Sequence, residues 1–150
     1  MKQVEELRYL ILAVQREGNR LLAARLRPLG LTPAQAEALG LLAAREPLSL
    51  TGLGELLVCE SGTNPSRIVD RLVGAGLVTR EIDPGDRRHV LLRLTPEGRA
   101  LARKVAAVED KLHETLKKLA GDRPLAPALD LLRALAEHFP AGQALARRKD

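Results

Sequence analysis

Residues 77–98, LVTREIDPGDRRHVLLRLTPEG, restrict the fold of this chain more than any other stretch. Two short runs rich in β-branched residues and leucine, LVTREI and VLLRL, flank Asp83, Pro84 and Gly85, residues that together supply a turn. A single β-hairpin is predicted there. Thr95 and Pro96 follow at once, a capping residue and then a proline suited to a first helical position, so the hairpin passes directly into a helix. Elsewhere apolar residues recur at spacings of three and four, the mark of amphipathic helices. The pattern predicts a mainly α protein with one small hairpin.

The same signals divide the rest of the chain. Val4, Leu7, Ile11, Val14, Gly18 and Leu21 form a narrow seam of coiled-coil type on a first helix, which ends before RPLGLTP. Thr32 and Pro33 open a second helix, PAQAEALGLLAARE, and Pro47 ends it. Ser49 or Thr51 is placed to cap a short third helix through Leu57. Gly62 then breaks the chain, Asn64 caps a fourth helix from Pro65 to Ala75, and Gly76 stops it. A long helix from Pro96 carries Leu101, Val105, Val108, Leu112, Leu116 and Leu119 and stops near Gly121 and Pro124. A last helix carries Leu125, Leu129, Leu132, Ala136 and Phe139, and the tail ALARRKD is expected to fray.

Three short helices followed by a hairpin describe a winged helix-turn-helix over about residues 31–95, within one domain of 150 residues. The long seams at about 1–30 and 96–140 exceed what so small a winged unit needs for its own core, so they are expected to build a dimer. On the fourth helix Ile68, Val69, Leu72 and Val73 share one face, and Arg67, Asp70, Arg71 and Gly74 share the other. In the DNA major groove Arg67 and Arg71, one turn apart, would read guanine or hold phosphates, with Thr63, Asn64 and Ser66 near the helix start. Asp70 is expected to orient an arginine. At the hairpin tip Arg87 or Arg88 would reach the flanking minor groove, and Asp86 would brace Arg88 or a neighbouring arginine.

Composition removes other functions. A net charge of +5 suits an acidic polymer as partner, but Tyr9 and Phe139 are the only aromatic residues, too few for a platform that stacks single-stranded bases. The lone Cys59 cannot form an intramolecular disulfide, and it reads as a small buried residue rather than a redox sensor. No long uncharged apolar run or signal-like segment is visible, so a cytoplasmic protein without membrane contact is expected. His89, His113 and His138 lack metal-site spacing. Ser61 and Ser66 lack a nucleophile elbow, and no phosphate loop is present, so neither an enzyme nor a cofactor is expected.

Over residues 31–99 the sequence resembles the MarR-type transcriptional regulators. LTPAQAEALGLLA is similar to the second helix of that family, LGELL to the third, RIVDRLVGAGLV to the recognition helix and its following strand, and DRRHVLLRLTPEGRAL to the wing and the next helix. Asp86, Arg88, Leu92, Leu94, Thr95 and Gly98 carry the most specific part of the likeness. It departs at VCESGTNPS, about one residue longer and carrying Pro65, which displaces the helix start or remodels the turn. The resemblance implies a homodimer that binds double-stranded DNA at a pseudo-palindromic operator and leaves when a small effector or an oxidant arrives. The competing reading is a winged-helix module that docks proteins without reading DNA sequence.

Overall fold

The computed structural model describes residues 1–59 and 64–150. Helix α1 runs Gln3–Leu26, and a 3-10 turn at Arg27–Leu29 leads to α2 at Pro33–Arg45. Strand β1, Leu48–Ser49, precedes α3 at Leu50–Leu56. Helix α4, Pro65–Gly74, is followed by β2 at Val78–Asp83 and β3 at Asp86–Leu94. Three helices complete the chain: α5 at Pro96–Ala120, α6 at Leu125–Ala136 and α7 at Pro140–Arg147.

Side chains fix the starts of the helices at the expected residues. Thr32 and Gln35 make a reciprocal capping box, with Gln35 N donating to Thr32 Oγ1 at 3.2 Å and Thr32 N to Gln35 Oε1 at 3.1 Å. Ser49, not Thr51, caps α3 by accepting Gly52 N at 2.9 Å, and Asn64 caps α4 by accepting Arg67 N at 3.0 Å. Beyond α4, Gly76 takes φ 74°, a left-handed value that costs glycine little, and Leu77 N reaches back to Leu72 O at 2.9 Å. That reversal aims the chain from α4 into β2.

One core ties the helix-turn-helix to the sheet. Leu26, Leu39, Leu42, Leu53, Val69, Leu72, Leu92 and Val105 are all but inaccessible, so α1 through α5 each contribute to it together with β3. Burial decays away from this lobe. Along α5, Val105 is buried and Val108 half-buried, while Leu119 is 74% exposed; along α1, Leu26 is buried and Val4 is 78% exposed. Helix α6 contains no buried residue and exposes Leu125, Leu129 and Leu132. Apolar surface on this scale marks an unmade contact.

Three expectations need correction. The sheet has three antiparallel strands in the order β1-β3-β2, with Leu48 opposite Leu92 and Ser49 opposite Leu91, so the hairpin is joined by a third strand. A two-residue strand shows no periodicity and leaves no local mark in the sequence. Strand β3 also starts earlier than VLLRL, at Asp86, because a two-residue turn at Pro84 and Gly85 closes the hairpin. Arg87 and Arg88 therefore belong to a strand rather than to a loop. The C-terminal tail is not frayed but forms α7, where Ala144 is buried and arginines bond to the end of α3.

Candidate nucleic-acid interface

Helix α4 separates its two faces cleanly. Ile68, Val69 and Leu72 are buried, whereas Asn64, Ser66, Arg67, Asp70 and Arg71 are exposed. The packing of α3 on its start is close, since a Cβ on Gly54 would stand 3.2 Å from Pro65 Cγ. Thr63 lies outside the described residues. Asp70 forms an ion pair with an arginine, as its acidic place on a basic face suggests, but the partner is Arg80 on β2. Among the described residues no carboxylate pairs with Arg67 or Arg71. The guanidinium groups are thus available to an external anion or base edge.

The hairpin holds its turn with its own aspartates. Asp83 Oδ1 accepts Gly85 N at 2.9 Å, and Asp86 Oδ1 accepts Arg88 N at 3.1 Å and Arg88 Nε at 3.3 Å. His89 Nδ1 stands 3.2 Å from the other oxygen of Asp86. The backbone bond from Arg88, followed by that from its side chain, lowers the Asp86 pKa, so its carboxylate stays charged. Arg88 remains almost wholly exposed despite the contact. The strand pairing shifts beside the turn, from Ile82 opposite Val90 to Asp83 opposite Asp86, so Arg87, Arg88 and His89 stand in an irregular stretch in which Arg88 and His89 both reach Asp86.

Several side chains that organise this surface carry no local signal in the sequence. Arg80 is ten residues from Asp70, and Arg93 pairs with Glu81 across the hairpin at 3.5 Å. Glu46 accepts Leu94 N at 2.7 Å and pairs with Arg99, stitching the end of α2 to the root of the wing. Such partners are set by tertiary geometry; only the strand alternation that exposes Arg80 could have singled it out.

Behind α4 lies a cleft of about 670 Å³ between the lobe and the long helices. Val14 of α1, Gln35 of α2, Cys59, Ile68 and Arg71 of α4, and Leu116 of α5 are among its walls. Cys59 is half-buried against the core. Burial, and then the negative charge of Glu37, push its thiol from 9.0 up to about 12. At neutral pH that leaves roughly a thousand-fold fewer thiolates than a free cysteine has. Alkylation of the native protein by iodoacetamide at pH 7.5 should therefore be slower than in urea by about two orders of magnitude or more. Equal rates would return Cys59 to the candidates for oxidant sensing.

No described helix is long and apolar enough to cross a membrane, and the described residues hold no cluster of metal-ligating side chains. The sequence profile of the MarR family matches residues 31–90, the span from α2 into β3. The organic hydroperoxide resistance transcriptional regulator of Bacillus subtilis (strain 168) is 34% identical over 108 residues, covering 72% of this chain and 73% of the relative. The multiple antibiotic resistance protein MarR of Escherichia coli (strain K12) is 34% identical over 110 residues, 73% of this chain and 76% of the relative. The crystal structure of a mutant E. coli MarR complexed with operator DNA superposes with a TM-score of 0.77 at 31% identity, covering 89% of this chain and 95% of that one. A complex of S. aureus MepR with DNA gives 0.79 at 21% identity over 87% and 96%, a likeness of fold.

Proposed function

The chain belongs to the MarR family of DNA-binding winged-helix transcriptional regulators, and on that footing we propose that it works as a homodimeric, ligand-responsive repressor of a pseudo-palindromic operator. The observation that carries the reading is α4, whose Arg67 and Arg71 face solvent beside a wing that carries Arg87 and Arg88. A two-fold dimer sets two such helices about one DNA turn, roughly 34 Å, apart. Asn64 and Ser66 approach phosphates at the start of α4. Arg67 and Arg71 address base edges, and an arginine of the wing enters the minor groove. The effector fits the cleft behind α4: a mostly apolar small molecule held there touches Ile68 and Arg71 from behind and shifts the reading helix.

Selection of bound duplexes from a random library at physiological salt, with an Arg67→Ala variant alongside, tests this reading. An inverted repeat with half-sites about ten base pairs apart is expected. Arg67→Ala should weaken binding by about 1–3 kcal/mol and blur one base position in each half-site. Absence of any enriched sequence, with binding that hardly changes with salt, would instead favour a protein-docking module. Arg88→Ala should lower affinity for every sequence alike and flatten the dependence of log Kd on log salt by about one, read by titration at several salt concentrations. A slope identical to that of the unaltered protein removes Arg88 from the interface.

A further inference from the structure

Helix α7 lies outside the span matched by the family profile and returns to the helix-turn-helix from the far end of the chain. Its last residues meet the C-terminal end of α3, where backbone carbonyls run out of helical partners. Arg148 donates to Leu56 O from Nε at 2.9 Å and from Nη2 at 2.8 Å, and Arg147 Nη1 donates to Glu55 O at 3.1 Å. Arg148 Nη2 also stands 3.1 Å from Glu37 Oε2. Glu37 in turn accepts Val58 N at 2.7 Å and Cys59 N at 3.0 Å through Oε1. One ion pair thus holds the backbone at Leu56, Val58 and Cys59, the stretch that leads from α3 toward α4.

We propose that Arg148 and Glu37 are a positioning pair for operator recognition, which holds the chain leaving α3 and, with the core contacts of α4, governs the attitude of that helix. The inference rests on the regulatory reading above and adds residues that do not touch DNA. Both side chains are largely enclosed, 26% exposed for Arg148 and 12% for Glu37, so the pair is dehydrated and its geometry is stiff. Arg45 Nη2 donates to Arg148 O and fastens the end of α7 to α2 as well. The hydrophobic core closes without α7, because Ala144 is not part of that cluster, so the contact governs local placement rather than global folding. At its other end α7 is coupled tightly to α6, since a Cβ on Gly142 would meet Ala136 O at 2.0 Å.

The test compares the full-length protein with Arg148→Ala, Glu37→Gln and the double variant on two duplexes of equal length, the selected operator and an unrelated sequence. Misplacement of α4 weakens the operator complex alone, whereas partial unfolding scales both complexes equally. The ratio of the two affinities should fall by about ten-fold or more in Arg148→Ala, and the double variant should be no worse, as expected for residues acting as a unit. A ratio within about two-fold of the unaltered protein, or equal losses on both duplexes, overturns the proposal. Amide hydrogen exchange without DNA gives a second reading: Val58, Cys59 and α4 should exchange faster in Arg148→Ala while α2 keeps its protection. Unchanged exchange at α4 also overturns it. Failure of the unaltered protein to select any sequence sinks the regulatory reading and the operator role together, and is visible without the variants.

Discussion

Replacing Leu132 with glutamate is expected to yield a folded monomer whose affinity for a full operator is about a hundred-fold or more below that of the unaltered protein. Leu132 is exposed on α6, a helix with no buried residue, and it belongs to none of the packing that holds the winged lobe together. The substitution therefore spares the fold of the single chain. In the proposed homodimer a second copy would enclose the same position, and a carboxylate there would be stripped of water without a partner. Once the subunits separate, each half-site is bound independently, and the gain from linking two binding events, about 10² or more, is lost. Sedimentation should show a monomer at micromolar concentration, while affinity for an isolated half-site stays unchanged. A variant that remains dimeric would show that α6 is not the subunit contact.

A Gly98→Ala substitution should cost about 3 kcal/mol of stability or more, which for a chain of this length lowers the melting temperature by roughly 10 °C. The reason is space rather than backbone conformation. A Cβ on Gly98 would stand 2.0 Å from Leu77 O and 3.3 Å from Leu94 Cδ2. Leu77 O is itself fixed, accepting Thr95 N at 3.0 Å, and Thr95 Oγ1 donates to Gly76 O at 2.7 Å. Helix α5 must then retreat from the end of α4 and the root of the wing together. Gly40→Ala is the matched control: nothing lies within 4 Å of a Cβ there, and in the middle of α2 alanine should add about 0.5–1 kcal/mol. Thermal unfolding of the two variants against the unaltered protein decides, and similar melting temperatures for both would contradict the close approach at Gly98.

What the sequence made legible was whatever is decided within a few residues. Thr32, Asn64 and Thr95 cap the helices they were expected to cap, because a side chain and a backbone amide three residues on need no help from the rest of the fold. The division of α4 into a buried and an exposed face follows from helical period alone. Strand β1 was hidden because its only reason to be extended is β3, more than forty residues away in sequence. The docking of α7 was hidden for the same reason, since Arg148 and Glu37 are distant in the chain and a C-terminal run of alanine and arginine gives no local sign of burial. The arginines of the wing were expected at the hairpin tip, and their place within β3 rather than in a loop depended on how short the turn proved to be.

Helix α4 has a consequence for how such a protein diversifies. Its hold on the lobe comes from Ile68, Val69 and Leu72, all buried in the core, while Ser66, Arg67 and Arg71 bear no share of that packing. Exposed positions of this kind usually change stability by less than about 0.5 kcal/mol when replaced. On the proposed reading, a descendant can therefore exchange those side chains, acquire a different set of promoters, and keep the melting behaviour of its ancestor. Retargeting by design would have the same freedom, with a small library confined to positions 66, 67 and 71 exploring new DNA addresses on an unaltered scaffold.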